Sequence, residues 1–326
     1  MNIHYKNFLV PQIQNTVIVI IVAVAVWFGS PFDNEPSAAA SISPLTNYLL
    51  GLLQNYAWLS RVLSFVLALL SAFLLVQLNN QYGIVRIQTF LPALFYVMTV
   101  GFLDNQSNLF NGGNIATLFV LLALFEFLSI NSERETGKVF NVFLSLSLAG
   151  LFVFQTILLV PFFWFAFAII FLPSLRMFLA SFIGLIVPYL FAVPLYLYFS
   201  ETPDIHFLVQ EKISSFDLYQ CNWFEGIFLL ILGSVLFISF VSFVLSAQRE
   251  SVRTRKINYA FYILMLGSTA ITLLSGEHFA ELLPVTALSF SVLASHYFSF
   301  NYNWFSKTLM CLFVFAGATL FVSQFI

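Results

Sequence analysis

The feature that most constrains this chain is a succession of apolar stretches, each about 20 residues long, separated by short polar breaks. A helix of that length crosses the hydrocarbon core of a bilayer and satisfies its own backbone hydrogen bonds there. Only 8% of the residues are charged, against about 25% in typical soluble domains. The sequence therefore predicts an all-α, polytopic transmembrane bundle that forms one domain over residues 1–326.

The apolar pattern predicts about eleven membrane spans. The run from Val139 to Leu172 is too long for one ordinary crossing, so we divide it near Gln155. Pro188 and Pro194 predict a bend in the seventh span. The predicted spans are Thr16–Phe28, Trp58–Leu78, Ile84–Leu103, Asn114–Ile130, two within Val139–Leu172, Met177–Phe199, Phe224–Ser246, Asn258–Leu274, Leu282–Phe298 and Thr308–Phe325.

The charged residues divide unequally between the two sides of this arrangement, and basic residues collect in cytoplasmic loops. With a cytoplasmic N-terminus and an outer C-terminus, only Arg61 and Lys212 among the basic residues lie outside. The predicted cytoplasmic set is Lys6, Arg86, Arg134, Lys138, Arg176, Arg249, Arg253, Arg255, Lys256 and Lys307. The predicted outer acids are Asp33, Glu35, Asp104, Glu201, Asp204, Glu211, Asp217, Glu225, Glu277 and Glu281. We expect a bacterial cytoplasmic (inner) membrane protein with lipid contacts and no nucleic-acid partner.

Two outer loops contain amphipathic patterns. In residues 31–56, Ser43 and Pro44 are typical of a helix start, and apolar residues then recur at helical spacing as far as Tyr56. In residues 200–223, Thr202 and Pro203 open a similar but weaker pattern. Both loops are predicted to contain helices that lie in the membrane surface.

The outer loops also carry the candidate site residues. Asp33 and Glu35 follow the first span, and Asp104 follows the third. Such carboxylates could act as a general base, or hold a divalent cation beside a phosphate, although spacing alone establishes neither role. Arg61 could hold a phosphate through two hydrogen bonds or anchor the chain to ordinary head groups. His206 is a further substrate-binding candidate.

Several other residues have a structural interpretation beside the functional one. His206 and His278, the latter adjacent to Glu277, are interpreted first as solvated surface residues. Glu126 falls within the fourth span, where it serves helix packing or a proton path. The two cysteines give no support for a disulfide framework or a thiolate metal site.

The order of elements resembles the GT-C class of membrane glycosyltransferases. In both, a first span is followed by an outer loop that opens with acids and continues into an amphipathic helix, and an arginine then enters the second span. The segments "SRVLSFVLALLSAFLLVQLNNQYG", "LPALFYVMTVGFLDNQSNLFNGGNIATLFVLLALFEFL" and "NVFLSLSLAGLFVFQTILLVPFFWF" are similar in texture. The resemblance covers about 200 residues, including the first span and loop.

The resemblance implies transfer of a sugar from a polyprenyl-phosphate or polyprenyl-diphosphate donor outside the cytoplasmic membrane. It implies that Asp33 or Glu35 is the catalytic base or a metal ligand, and that Asp104 is a further acid of the site. The segment "SPFDNEP" is not a clean signature of the class, and an aromatic partner near the acid is not evident. A noncatalytic scaffold or lipid-carrier-binding subunit of an envelope-assembly complex is the alternative, and a transporter using Glu126 is a third.

Overall fold

A computed structural model describes residues 13–29, 44–53, 56–85, 88–103, 109–132, 135–171, 174–199, 222–246, 251–301 and 303–323. These residues form helices joined by short connections, with no strand among them. The α-helices are α1 (Ile13–Gly29), α2 (Pro44–Leu53), α3 (Ala57–Tyr82), α4 (Leu91–Leu103), α5 (Gly112–Ser129), α6 (Thr136–Phe152), α7 (Val160–Ile170), α8 (Leu175–Phe199), α9 (Trp223–Ser246), α10 (Val252–Leu274), α11 (Phe279–Phe300) and α12 (Trp304–Ser323). Two 3-10 helices, Phe154–Leu159 and Gly276–His278, precede α7 and α11.

The helices have the length and composition of membrane spans. Within the described ranges, seven helices are long and apolar enough to cross a bilayer, namely α3, α5 and α8 to α12. Four apolar segments are shorter, namely Thr16–Gly29, Leu91–Leu103, Thr136–Phe152 and Phe154–Ile170. The all-α, multi-pass membrane class is therefore confirmed, and the count of eleven crossings stays a prediction.

The centre of the bundle is built around α4 and α11. Every residue of α4 is buried. Over the most apolar 18 residues of each helix, 83% of the α11 stretch is buried, compared with 17% of the α8 stretch. Phe95 of α4 stacks on Phe298 of α11 with ring centroids 5.2 Å apart, and it meets Phe313 of α12 edge-on at 5.6 Å. The weakly buried helix α8 exposes large apolar side chains, as a surface that faces lipid requires.

Several predicted span boundaries are wrong because polar residues lie inside the helices. The predicted break after Leu78 is instead the last turn of α3, which ends at Gly83 in a left-handed conformation (φ 61°) that glycine adopts without strain. The Asn79 side chain accepts a hydrogen bond from the backbone N–H of Val85 at 2.8 Å. The next helix, α4, starts only at Leu91, where Pro92 fits the first turn.

The predicted basic connection 248–256 is largely helical in its second half. The Ser251 hydroxyl accepts from the backbone N–H of Thr254 at 3.2 Å, so α10 begins at Val252. Arg253 and Lys256 therefore lie in the first turns of a helix. Serine and charged side chains at a helix start resemble a loop in sequence, which explains the misplaced boundary.

The division of the long apolar run near Gln155 is confirmed. Helix α6 ends at Phe152, Val153 has an extended conformation, and the 3-10 helix Phe154–Leu159 follows. The helix α8 continues through both Pro188 and Pro194. The run is therefore two helical segments, and the predicted seventh span is one helix.

The predicted helix in the first outer loop, residues 31–56, is also confirmed as a helix. It starts at Pro44 as expected and is described as far as Leu53, and Tyr56, the predicted end, is not part of it. Leu45, Tyr48 and Leu52 are exposed on one face, whereas Thr46 is buried and donates to the carbonyl of Phe152 at 2.8 Å. This contact fixes α2 against the end of α6. The predicted surface helix in residues 200–223 falls outside the described part of the chain.

Two ends of the bundle can now be distinguished. At the Arg61 end, α3, α5 and α11 begin, and hydrogen bonds link their first residues. At the Lys256 end, α5 and α7 terminate and α10 begins. The distribution of basic residues predicts that the Arg61 end is non-cytoplasmic and that the Lys256 end is cytoplasmic.

Candidate functional site

Arg61 is buried at the end of the bundle where three helices begin. It lies near the N-terminus of α3, and only 2% of its surface is exposed. An arginine that anchors a chain to surrounding head groups extends outward, so the anchor interpretation does not fit this burial. A buried guanidinium is retained where polar groups accept its hydrogen bonds.

Serines on either side of Arg61 connect α3 to neighbouring segments. The hydroxyl of Ser60 accepts from the backbone N–H of Phe110 at 3.0 Å. Ser64, on the same helix face as Arg61 by its i+3 spacing, accepts from Trp27 Nε1 at 3.3 Å and from Asn114 Nδ2 at 3.0 Å. The first span, α3 and α5 are thus joined by buried polar groups beside the arginine.

The N-terminus of α5 completes this connection to α11. The Asn111 side chain caps α5 by accepting from the Asn114 backbone N–H at 3.1 Å, and its Nδ2 lies 3.5 Å from the carbonyl of Ala280. A Cβ at Gly113 would lie 1.8 Å from the carbonyl oxygen of Glu281, far inside ordinary contact distance. Glycine is therefore required for this approach of two helix starts.

A histidine and a carboxylate lie at the start of α11. His278 Nδ1 is 3.4 Å from an Oε2 of Glu281, and both side chains are largely buried. His278 Nε2 has no hydrogen-bond partner among the described residues. The expectation that His278 is a solvated surface residue is wrong, because the 3-10 turn before α11 carries it into the bundle.

Six buried or partly buried polar residues lie at the Arg61 end of the bundle, and we call them the Arg61 cluster: Arg61, Ser64, Asn111, Asn114, His278 and Glu281. It combines a cation, an imidazole with an unpartnered nitrogen, a carboxylate and two amides. Such a set could bind a phosphate through the guanidinium. The Asn114 amide is a structural member, because its Nδ2 already donates to Ser64 and to the Leu109 carbonyl. The imidazole, oriented by the carboxylate, could also accept a proton.

Comparison with known proteins found no matching family model, no similar curated protein and no similar solved structure. The interpretation of the Arg61 cluster therefore rests on its own chemistry.

Most residues predicted for the site lie outside the described part of the chain. These are the catalytic candidates Asp33 and Glu35 and the substrate-binding candidates Asp104 and His206. The proposed divalent-cation ligands, Asp33, Glu35 and Asp104, fall in the same ranges. Among the described residues, no group of three or more His, Cys, Asp or Glu side chains is arranged to hold a metal ion.

The sequence interpretation missed much of the Arg61 cluster. The apolar pattern places Asn111 in an outer loop, Asn114 at the start of a span and Ser64 inside another span, and it gives none of them a site role. The signal available was the pattern Asn-Gly-Gly-Asn at 111–114, in which two small residues allow close approach and the flanking amides supply hydrogen bonds.

Glu126 lies in the last turn of α5, at the Lys256 end of the bundle, and is half-buried. It therefore lies far along α5 from the Arg61 cluster, at the end that the basic residues predict to be cytoplasmic. A carboxylate in the last turn of a helix lies beside polar groups and not at the bilayer centre. A proton path is therefore not needed to explain why Glu126 is there.

Proposed function

We propose that this chain is a GT-C-like membrane glycosyltransferase that takes a sugar from a polyprenyl-phosphate-type donor at the non-cytoplasmic face. The observation that carries the proposal is the burial of Arg61 within a polar cluster where α3, α5 and α11 begin. A buried guanidinium near the membrane surface suits a phosphate whose lipid tail remains in the bilayer.

In the proposed reaction, the acceptor hydroxyl loses its proton to Asp33 and its oxygen forms a bond to the anomeric carbon of the sugar. The bond between that carbon and the donor phosphate oxygen breaks, and the electron pair leaves with the polyprenyl phosphate. Arg61 stabilises the charge that develops on the leaving phosphate. Glu35 and Asp104 contact the substrate or hold a divalent cation.

His278 and Glu281 extend this assignment. Contact between Nδ1 and the Glu281 carboxylate favours the tautomer that leaves Nε2 as an acceptor. That nitrogen is buried at the same end of the bundle as Arg61. We assign His278 as a contact to a substrate hydroxyl, held in orientation by Glu281.

The first test is native mass spectrometry of the protein extracted gently from its own membrane. We expect a bound polyprenyl phosphate that is lost in Arg61→Gln and retained in Lys307→Gln, a charge-matched control at the other end of the bundle. Arg61→Lys keeps the charge but cannot make the bidentate contact of a guanidinium. This variant should fold normally and bind the carrier more weakly than the wild type. Only ordinary phospholipid, unaffected by either Arg61 substitution, would overturn the donor site.

A second test separates the enzyme from the scaffold. Deletion of the protein should remove an envelope glycan, and complementation with Asp33→Asn should fail although the carrier lipid remains bound. If Asp33→Asn, Glu35→Gln and His278→Gln all restore the glycan, the enzyme proposal fails and the carrier-binding scaffold takes its place. Damage confined to Glu126→Gln would instead support the transporter.

A further inference from the structure

A cavity at the Lys256 end of the bundle has no role in the proposed reaction. Its volume is about 340 Å³, within the range of roughly 300–1,000 Å³ typical of small-molecule sites. It lies between the ends of α5 and α7 and the start of α10, and its lining includes Arg253, Lys256 and Asn131. The seven other lining residues are apolar, among them Phe127 and Phe171.

The two cations are held in place by helix ends. Arg253 Nη2 donates to the Leu128 carbonyl at 3.4 Å, and Lys256 Nζ donates to the Ile170 carbonyl at 3.0 Å. These contacts satisfy carbonyls that the ends of α5 and α7 leave without helical partners. The capping bonds thereby position both side chains along the cavity.

Capping does not use all the hydrogen-bonding capacity of these side chains. A guanidinium carries five N–H donors and an ammonium three, and each group spends one on a carbonyl. Within the described ranges, neither cation has a carboxylate within ion-pair distance, since the ion pairs there are Lys138 with Glu135 and His278 with Glu281. Two positive charges therefore line the cavity, and no carboxylate of the described ranges lies within ion-pair distance of either.

The rest of the lining indicates what kind of anion fits. A soluble phosphate would gain little from a cavity with mostly apolar walls, whereas a phospholipid places its phosphate beside the cations and the start of its acyl chains against the aromatic and aliphatic side chains. The predicted position near the cytoplasmic surface matches the leaflet in which anionic lipids meet juxtamembrane basic residues. We infer that this cavity binds the head group of an anionic phospholipid.

The test is lipid binding to the full-length protein, measured by native mass spectrometry with phosphatidylglycerol and, separately, phosphatidylcholine. We expect Arg253→Gln/Lys256→Gln to weaken phosphatidylglycerol binding by roughly 30-fold, from the usual contribution of each basic residue at a membrane surface. The matched control is Arg255→Gln/Lys307→Gln, which removes two predicted cytoplasmic charges that do not line the cavity. Because neither residue lines the cavity, the control should weaken the binding clearly less than the double variant does.

A second variant distinguishes loss of the cavity from misfolding of Arg253→Gln/Lys256→Gln. Val252 lines the cavity and is 61% exposed, so Val252→Trp obstructs the cavity while both cations remain. It should also weaken phosphatidylglycerol binding. The inference is overturned if the control weakens binding as much as the double variant, or if Val252→Trp binds normally. It is also overturned if phosphatidylcholine binds equally well, or if inorganic phosphate displaces the lipid at equal concentration.

Discussion

The contact between α5 and α11 at Gly113 should make this glycine intolerant of even one added methyl group. An alanine Cβ would lie 1.8 Å from the Glu281 carbonyl oxygen and 2.6 Å from the carbonyl carbon. Both are backbone atoms, which cannot rotate away as a flexible side chain would. Contacts of this kind relax to more than 3 Å only if one helix start moves by over 1 Å, and such overpacking costs about 1–3 kcal/mol.

The higher helix propensity of alanine opposes this destabilisation. Alanine favours a helix over glycine by about 1 kcal/mol in a helix interior, and by less in the first turn where Gly113 lies. Overpacking should therefore exceed the gain from helix propensity, and Gly113→Ala should lower the free energy of unfolding. Gly233→Ala is the matched control, since a Cβ there meets nothing within 4 Å and only the propensity gain remains.

The assay is thermal unfolding of both variants in the same detergent, followed by size-exclusion chromatography of the heated samples. Gly113→Ala should lower the Tm, and Gly233→Ala should leave it unchanged or raise it. The displaced start of α11 also carries His278 and Glu281, so carrier binding should fall in Gly113→Ala and not in the control. A Tm increase in Gly113→Ala equal to that in Gly233→Ala would refute the close approach of these helices.

Three further predictions concern single interactions outside the Arg61 cluster. Ser251→Ala removes the cap of α10 and should cost about 1 kcal/mol in thermal or denaturant unfolding, whereas Ser251→Asp should cost little; equal losses would contradict the cap. The hydrogen bond from Lys138, 2.7 Å from the carboxylate, lowers the pKa of Glu135, so its stabilisation is present above the ordinary pKa and lost as pH falls through the lowered one. The Tm difference between wild type and Glu135→Gln should shrink below about pH 4, and a difference that grows there would refute the pairing. Thr46→Val breaks the hydrogen bond to the Phe152 carbonyl and should cost about 1 kcal/mol, with faster amide exchange in α2; unchanged exchange would contradict the contact.

The fold class could be predicted because hydrocarbon imposes a simple rule on the sequence. Each spanning helix needs a long apolar run, and the run Val139–Leu172 is too long for one helix, so its length alone predicts the division found at Val153. Pro44 marks the start of α2 because proline suits the first turn of a helix. The helix ends were less predictable. Polar side chains at Asn79 and Ser251 resemble loops, but their hydrogen bonds to nearby backbone groups extend or start a helix.

The candidate site was harder to predict than the fold because it depends on contacts between distant segments. Arg61 was identifiable as an unusual cation on a predicted outer surface, but its burial follows from the packing of α3 against α5. His278 was misassigned because a polar residue between two spans resembles a solvated loop. Its pairing with Glu281 arises only when the short 3-10 turn leads directly into α11.

The two proposed lipid sites lie at opposite ends of one helix, which makes them separable by experiment. Helix α5 contributes Asn114 to the Arg61 cluster and the Leu128 carbonyl to the cavity that Arg253 lines. Its 18 residues extend about 27 Å at 1.5 Å per residue, so a single lipid head group cannot occupy both sites. A carrier lipid lost only in Arg61→Gln and a phospholipid lost only in Arg253→Gln/Lys256→Gln would therefore report two independent binding events. Loss of both lipids in either variant would instead indicate that the bundle, not the site, had changed.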